Sequence, residues 1–242
     1  MLNLRFIEIF ACVVTALTGA LMVSNFKYNS FKEVDWHGKV PFVGILLVYI
    51  IEFAKPLTRL IIKVLVNIPL VLPPTVLGFY FLILYSPKSW VGSFFENIGL
   101  GLSFSFGGLV IASIVFSLPF MVNPLISSIE SLPDSIREVG RSFNRPNKYV
   151  FLQMQLPLAR HGLISGALMA FAHTLGEFGL VLMIGGNIPG KTRVASVEIY
   201  NRVISMDYAG AHLISLSMII LSILILGTVF FFQQNRKSLQ PW

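Results

Sequence analysis

Long uncharged runs follow one another along this chain, with short charged stretches between them. The runs are Ile9–Ser24, Val40–Ile51, Val64–Pro87, Asn97–Ile129, His161–Gly176 continued as Phe178–Gly190, and Tyr208–Asn235. A helix needs about 20 apolar residues to cross the hydrocarbon core of a bilayer. The pattern predicts an all-α, polytopic integral membrane bundle in a single domain, residues 1–242, with six transmembrane helices. Five is the alternative, because the second run is short and Glu177 interrupts the fifth.

Composition supports a membrane protein. Of the 242 residues, 55% are hydrophobic and only 12% are charged, whereas about a quarter of the residues of a soluble domain are charged. The formal net charge of +7 is typical of basic cytoplasmic loops. The basic residues are scattered and no nucleic-acid-binding motif occurs, so the bilayer, and not nucleic acid, is the predicted environment.

Three basic clusters predict the orientation of the chain. One is formed by Lys55, Arg59 and Lys63, the second lies in the loop of residues 130–156, and the third is the pair Arg236 and Lys237. Cytoplasmic loops carry an excess of lysine and arginine. If all three clusters are cytoplasmic, the C-terminus is cytoplasmic, and with six spans the N-terminus is too.

Prolines interrupt the third apolar run. The segment Ile68–Tyr85 contains Pro69, Pro73 and Pro74, and each proline frees a backbone carbonyl and bends a helix. Freed carbonyls are costly in lipid unless protein or water meets them. We therefore predict that this helix faces other helices or a translocation path; a packing kink is the alternative. Thr75 and Ser117 are candidate hydroxyls of that path.

His173 and Glu177 are four residues apart and so lie on one side of a helix. Ionisable groups within a membrane face protein or water. With Gly176, they are predicted either to line the path or to have a structural role, pairing with each other or capping a broken helix. We favour the structural role, because Glu177 would repel a dianion. An acid–base pair in a membrane-embedded enzyme is an alternative of another class.

The segment Gly185–Thr192, GGNIPGKT, matches the phosphate-binding pattern G-x-x-x-x-G-K-[ST]. A glycine-containing apolar run of membrane length precedes it, where a nucleotide-binding loop would follow a short buried strand. We therefore interpret the segment as a turn-rich outer loop. No other catalytic motif and no metal-ligand spacing occurs, so neither a catalytic residue, a metal site nor a cofactor is predicted in this chain.

The most charged part of the chain, Arg137–Pro157, carries EVGRSFNRPNKYVFLQMQLP after its first arginine. It resembles the cytoplasmic loop through which ABC-importer permeases contact their ATPase. In this resemblance Glu138 stands at the motif's glutamate, Val139 and Gly140 at its two alanines, and Asn144 at its glycine. The remaining matched or flanking positions are Arg137, Arg141, Leu156 and Pro157. Asparagine tolerates the left-handed backbone that glycine supplies, whereas Gly140 weakens a helix by about 1 kcal/mol and is expected to loosen the loop.

The resemblance extends from about Pro69 to Tyr200. GEFG at Gly176–Gly179, followed by GNIPG at Gly186–Gly190, together with SLPFMV at Ser117–Val122, is similar to permease subunits of molybdate importers and their sulfate and tungstate relatives. The resemblance implies a non-catalytic permease in a bacterial or archaeal plasma membrane. Molybdate is the first choice of substrate, with sulfate or tungstate as alternatives; a passive channel would not need Glu138–Pro157.

The same resemblance implies an assembly. Two copies of the chain would form the translocation path, and two cytoplasmic ATPase subunits, which hold ATP and Mg²⁺, would bind the two charged loops. An extracytoplasmic binding protein would deliver the oxyanion.

Overall fold

A computed structural model describes residues 39–237, which contain helices and no strand, so the all-α prediction is confirmed for this part of the chain. The described residues fall into two compact units that meet in sequence between Val194 and Ala195. The interpretation of the whole chain as one domain remains a prediction.

The first unit contains most of the helices. They are α1 (Lys39–Phe53), α2 (Pro56–Val71), α3 (Pro74–Tyr85), α4 (Trp90–Asn97), α5 (Phe106–Glu130), α6 (Ser135–Ser142), α7 (Asn147–Tyr149), a π-helix (Val150–Gln155), α8 (Leu156–Leu158), α9 (Arg160–Gly176) and α10 (Gly179–Gly185). The second unit contains α11 (Ala195–Ile204) and α12 (Tyr208–Lys237).

Two described helices, α5 and the Tyr208–Gly227 part of α12, are long and apolar enough to cross a membrane. The pairs α2–α3 and α9–α10 pass the same criterion together, which gives up to four spans among residues 39–237. The short apolar helix in α1 adds a further candidate. The predicted first span, Ile9–Ser24, lies outside the described residues, so the count of six remains a prediction.

Two of the predicted continuous spans are broken. The axes of α2 and α3 differ by 113°, and those of α9 and α10 by 62°. The first break follows from the sequence Leu72-Pro73-Pro74: Leu72 and Pro73 have ψ of 138°, because a residue that precedes proline is driven out of the helical region. Pro69, in contrast, lies inside α2. The run Asn97–Ile129 is also not one helix, since α5 begins at Phe106.

Small residues hold α9 against α5. A Cβ atom on Gly166 would lie 2.6 Å from the carbonyl oxygen of Met121, and one on Gly162 would lie 2.7 Å from that of Pro124. Such spacing lets two helix backbones approach closely in a membrane. Gly44 of α1 also meets α5, at the side chain of Met121. α5 is thus the central helix of the first unit.

In the second unit, charged side chains join α11 to the start of α12. Arg202 binds Glu198 at 2.8 Å and Asp207 at 2.7 Å, and Asp207 accepts a hydrogen bond from the amide of Gly210 at 3.0 Å. Most large apolar side chains of α12, including Leu213, Ile219 and Ile223, are exposed in the single chain. Such a surface is typical of a helix that contacts lipid or another membrane helix.

Candidate functional site

The charged segment presents an exposed surface. Glu138, Arg141 and Lys148 are all exposed, and Phe143 has 73% of its surface accessible. The Arg145 guanidinium lies over the Tyr149 ring, 4.9 Å from its centroid. Arginine and aromatic side chains are enriched at protein–protein interfaces. This surface therefore has the composition expected of a docking site for another protein.

The turn after α6 depends on a left-handed residue. Asn144 has φ of +47°, its amide donates to the carbonyl of Arg141 at 2.9 Å, and the amide of Arg145 donates to that of Gly140 at 3.0 Å. The expectation that Asn144 replaces glycine at a left-handed position is confirmed. The turn folds the chain back, so that α6 packs against the π-helix.

The expectation that Gly140 loosens this loop is wrong. Gly140 is buried, and a Cβ atom added to it would overlap the Cγ2 atom of Val150 and lie 3.4 Å from its Cβ. The missing side chain allows α6 to approach the π-helix closely. Its helix-weakening effect is therefore offset by a close contact that only the folded loop contains.

The end of the segment belongs to the core. Phe151 and Leu156 are buried, together with Leu125 and Leu163, in the main apolar cluster of the first unit. Pro157 lies in α8, which continues the π-helix without a break, because Gln155 and Leu156 both have helical backbone angles. The charged segment is therefore exposed at its start and anchored in the helix bundle at its end.

An acidic residue of α1 contributes to this fixation. A side-chain oxygen of Glu52 lies 2.8 Å from Nη2 of Arg137 and accepts a hydrogen bond from Nε2 of Gln155 at 2.8 Å. In the sequence, Glu52 directly follows the apolar run Val40–Ile51, and Gln155 lies in the charged segment 103 residues later. An acidic residue that ends an apolar run is the only signal of this contact in the sequence.

Two of the predicted basic clusters meet at this end of the first unit. Glu130, the last residue of α5, accepts from Arg59 at 2.5 Å and from Lys63 at 2.8 Å. Both basic residues lie within α2 and not in a loop between spans. The start of the charged segment and the Lys55–Lys63 region therefore lie on the same side of the bundle, as the charge pattern predicts.

The two helix breaks pack against each other. A Cβ atom on Gly179 would lie 3.3 Å from Cβ of Pro74 and 3.6 Å from Cγ2 of Thr75. Glu177, 6% exposed, accepts a hydrogen bond from the amide of Leu180 at 2.8 Å and so caps α10. Of the two structural roles predicted for Glu177, the structure supports the capping of a broken helix.

Beside these breaks the surface is open. Pro73, Thr75 and Gly176 are exposed, and a Cβ atom on Gly176 would meet no atom of the described part of the chain within 4 Å. Discontinuous helices with exposed backbone are tolerated in membranes where they line a water-filled cavity. We refer to Pro73, Pro74, Thr75, Gly176 and Glu177 as the broken-helix cluster.

Ser117 and His173 lie in the neighbouring seam between α5 and α9. Ser117 is buried and shares a hydrogen bond of 2.7 Å with Thr174. His173 stacks on Phe120, with ring centroids 3.9 Å apart, and lies 4.7 Å from the ring of Phe116. His173 thus contacts aromatic rings of α5, whereas Glu177 accepts from the amide of Leu180 in α10, and the enzyme alternative is not favoured.

The segment that matches a phosphate-binding loop has its polar groups occupied internally. The hydroxyl of Thr192 donates to the carbonyl of Gly185 at 2.5 Å and accepts from the amide of Ile188 at 3.1 Å. The segment follows α10 rather than a strand, and Gly186 and Gly190 have positive φ. It is a tight turn, as predicted. Among the described residues, no three His, Cys, Asp or Glu side chains could together hold a metal ion.

Comparison with known proteins gives consistent matches. Residues 42–237 match the family model described as "Binding-protein-dependent transport system inner membrane component". The chain is 46% identical over 179 residues to the molybdenum transport system permease protein ModB of Azotobacter vinelandii, covering 74% of this chain and 79% of that protein.

More distant relatives belong to other transport systems. The probable sulfate transport system permease protein cysT of Chlorokybus atmophyticus is 28% identical over 81% of this chain and 68% of that protein. The probable transport system permease protein NifC of Clostridium pasteurianum is 32% identical over 68% of this chain and 59% of that protein.

Proposed function

This chain belongs to the family of binding-protein-dependent transport system inner membrane components, and from that premise we propose that it is the permease subunit of a molybdate importer. It is an integral membrane protein, and its relatives are transport permeases. The protein is accordingly a transport subunit of the ABC-importer type, and the enzyme alternative built on His173 and Glu177 is not favoured. What remains to be proposed is its substrate, its partners and the parts of the chain that serve them.

The observation that carries the choice of substrate is the difference between two identities. The chain is 46% identical to a molybdenum permease but 28% identical to a sulfate permease of similar coverage. Molybdate, tungstate and sulfate are tetrahedral dianions, so tungstate and sulfate are the alternatives. The bound form of the anion would be held by polar groups and not by Glu177, whose carboxylate already caps α10.

The exposed front of the charged segment is the proposed docking site for a cytoplasmic ATPase. Exposed Glu138, Val139, Arg141 and Phe143 supply opposite charges and apolar area on one short helical hairpin. ATP and Mg²⁺ would be bound by that ATPase and not by this chain. An extracytoplasmic oxyanion-binding protein would supply the anion, and the C-terminus would be cytoplasmic in a bacterial or archaeal plasma membrane.

The broken-helix cluster is the proposed part of the translocation path. Its exposed members, Pro73, Thr75 and Gly176, would face a water-filled space completed by a second copy of the chain. Exposed polar backbone at a membrane helix break needs water or protein opposite it. Ser117 and His173 would support the cluster from the α5–α9 seam.

Reconstituted transport tests this proposal. Proteoliposomes containing the permease, its ATPase and its binding protein should take up radiolabelled molybdate in an ATP-dependent way, with unlabelled molybdate competing better than sulfate. If sulfate or tungstate is taken up in preference to molybdate, the proposed substrate is wrong and that anion takes its place. ATP-independent uptake would contradict the assignment of the protein to an ATP-driven importer.

A second arm tests the docking site. Replacement of both Glu138 and Arg141 by alanine should abolish co-purification of the ATPase or ATP-driven uptake. The matched control is Arg202→Ala, which removes an arginine of the second unit. Normal uptake in the Glu138/Arg141 variant would contradict the proposed role of this surface.

A further inference from the structure

The position of Glu52 is unusual for a carboxylate in a membrane protein. Only 4% of its side-chain surface is exposed, while that of its partner Arg137 is 33% exposed. A buried carboxylate is tolerated when its oxygens are fully paired. Glu52 obtains its partners from Arg137 and from Gln155, which is 103 residues away in sequence. The pairing therefore connects three separate elements: α1, α6 and the π-helix.

A second contact runs beside this one. The rings of Tyr49 and Phe151 meet edge to face, with centroids 5.3 Å apart. Tyr49 and Glu52 are three residues apart on α1, and Phe151 and Gln155 are four apart, so each pair lies on one face of its helix. Val48 and Ile51 of α1 are buried in the same core as Phe151. One face of α1 is thus matched to one face of the π-helix by an apolar and a polar contact.

The orientation of Gln155 depends on Glu52. Nε2 of Gln155 donates to the Glu52 carboxylate, and Oε1, which is buried, meets no hydrogen-bond donor among residues 39–237. Turning the amide over would place Oε1 against the carboxylate oxygen, two acceptors facing each other. The contact with Glu52 therefore determines the orientation of the amide.

The π-helix is the element through which the charged segment enters the bundle. π-helical turns inside α-helices are rare and frequently occur at functional sites. Here the π-helix follows α7 directly and leads into α8 and Pro157. The side chain of Val150, the first residue of the π-helix, packs closely against the backbone of Gly140 in α6. A displacement of α6 therefore acts on the π-helix through Val150 and on α1 through the ion pair of Arg137 with Glu52.

We propose that Glu52 is a positioning residue for energy coupling, which fastens the ATPase-docking helix α6 to α1 through Arg137 and Gln155. This inference rests on the proposed function, since it assumes that α6 receives the ATPase. In this arrangement α1 moves together with the charged segment during the transport cycle. A simple stabilising ion pair would hold the protein together without transmitting movement, and the experiment separates the two.

The experiment compares wild-type complex with Glu52→Gln in proteoliposomes. ATP hydrolysis and molybdate uptake are measured on the same preparation, and their ratio gives the ATP consumed per anion. The proposal expects uptake to fall roughly tenfold, within the range of about 5–150-fold that is typical of coupling between two sites, while hydrolysis changes much less. A ratio equal to that of the wild type would overturn the proposal.

Hydrogen exchange supplies a readout that mere stabilisation would not alter. In the wild-type complex, a non-hydrolysable ATP analogue should change amide exchange in both residues 135–155 and residues 44–53. In Glu52→Gln, the change should persist in residues 135–155 and disappear from residues 44–53. Persistence of the change in α1 would show that the movement does not pass through Glu52.

Two further variants keep the test decisive. Glu52→Asp retains the charge on a shorter side chain and should recover part of the coupling, whereas a loss equal to that of Glu52→Gln would count against the proposal. Arg202→Gln removes two ion pairs in the second unit, of 2.8 Å and 2.7 Å, and should leave the ratio unchanged. If Glu52→Gln fails to assemble, the ATP consumed per anion and the amide exchange of residues 44–53 are measured on Glu52→Asp and on Arg137→Lys. A ratio and an exchange pattern equal to those of the wild type in both variants would overturn the proposal.

The wild-type control separates this inference from the function beneath it. If the wild-type complex shows no ATP-driven uptake, the proposed function fails. If the wild type is active and Glu52→Gln matches it, only the role of Glu52 fails.

Discussion

Two buried carboxylates show different ways of placing an acidic residue in an apolar bundle. Glu177 lies at a helix break and accepts from the amide of Leu180, three residues later. Glu52 lies at the end of α1 and is paired with Arg137 and Gln155, which belong to other elements. The first carboxylate is satisfied locally and serves the shape of one chain segment. The second is satisfied across the fold and joins segments that are distant in sequence.

This difference has an energetic consequence. When a locally capped helix end loses its cap, water or a small backbone shift can replace part of the lost bond. When a long-range pair loses one member, the remaining charge is left where the fold holds it. We therefore expect substitutions at long-range contacts to cost more free energy of unfolding than those at local ones.

Glu52→Ala should have the largest effect. It leaves Gln155 without the Glu52 acceptor and Arg137 with the Asp134 carboxylate at 3.7 Å, and it should lower the free energy of unfolding by about 3 kcal/mol, at the low end for a broken buried pair because Arg137 is partly exposed. Denaturant unfolding in detergent micelles measures the change. The control is Arg202→Ala in the second unit, which removes two ion pairs of partly exposed side chains, with an expected loss of about 1 kcal/mol. Equal losses of unfolding free energy in the two variants would contradict the larger cost expected for a buried long-range pair.

Gly140→Val should come next. The added side chain must displace Val150, and overpacking of this kind costs about 1–3 kcal/mol. Gly107→Ala is the matched control, because a Cβ atom there would meet only the Ser105 hydroxyl at 4.0 Å, and it should be neutral or slightly stabilising. Combining Gly140→Val with Val150→Ala should recover part of the loss. If the double variant is no more stable than Gly140→Val, the steric clash is not with Val150.

Glu177→Ala should have a smaller effect, about 1 kcal/mol, the usual cost of losing a helix cap. Glu177→Gln retains an oxygen that can accept from Leu180 and should cost less than the alanine variant. Thermal unfolding in the same micelles compares the two. A loss for Glu177→Ala that exceeds the loss for Glu52→Ala would reverse the comparison between the two carboxylates.

Asn144→Ala should have the smallest effect. Alanine is disfavoured at the observed φ of +47° by about 1 kcal/mol, while Asn144→Gly should be neutral or slightly stabilising because glycine adopts this conformation freely. Unfolding of the two variants side by side gives the difference directly. Equal stabilities would contradict a left-handed residue in this turn.

Much of the candidate site could be predicted because its signals are local. The left-handed turn at Asn144 depends on the backbone preferences of one residue. The bend at Pro73 and Pro74 depends on a dipeptide that has no N–H groups. The cap on α10 requires a carboxylate within three residues of an amide, and Glu177 has that position. The matched spacing of Glu138, Asn144 and Pro157 is likewise a property of one continuous segment.

The misses were contacts between segments. The sequence marked Gly140 as a weak helix residue, because its neighbour Val150 is recognisable only after the turn has formed. Hydropathy counts residues and does not record the size of a bend, which is 113° between α2 and α3 and 62° between α9 and α10. Glu52 has no role in the sequence-based predictions, since its neighbours in sequence do not indicate Arg137 or Gln155.

The sequence by itself determined the membrane environment, the all-α class and the position of the charged segment. These follow from composition, from the length of the apolar runs and from the spacing of one motif. Only the tertiary structure decided how that segment is held. Burial of Glu52 stabilises the fold only if Arg137 and Gln155 arrive at the same point, and their arrival depends on the packing of α1 in the core and of α6 on the π-helix. Pairing energies act over a few ångströms, whereas the residues that supply them are far apart along the chain.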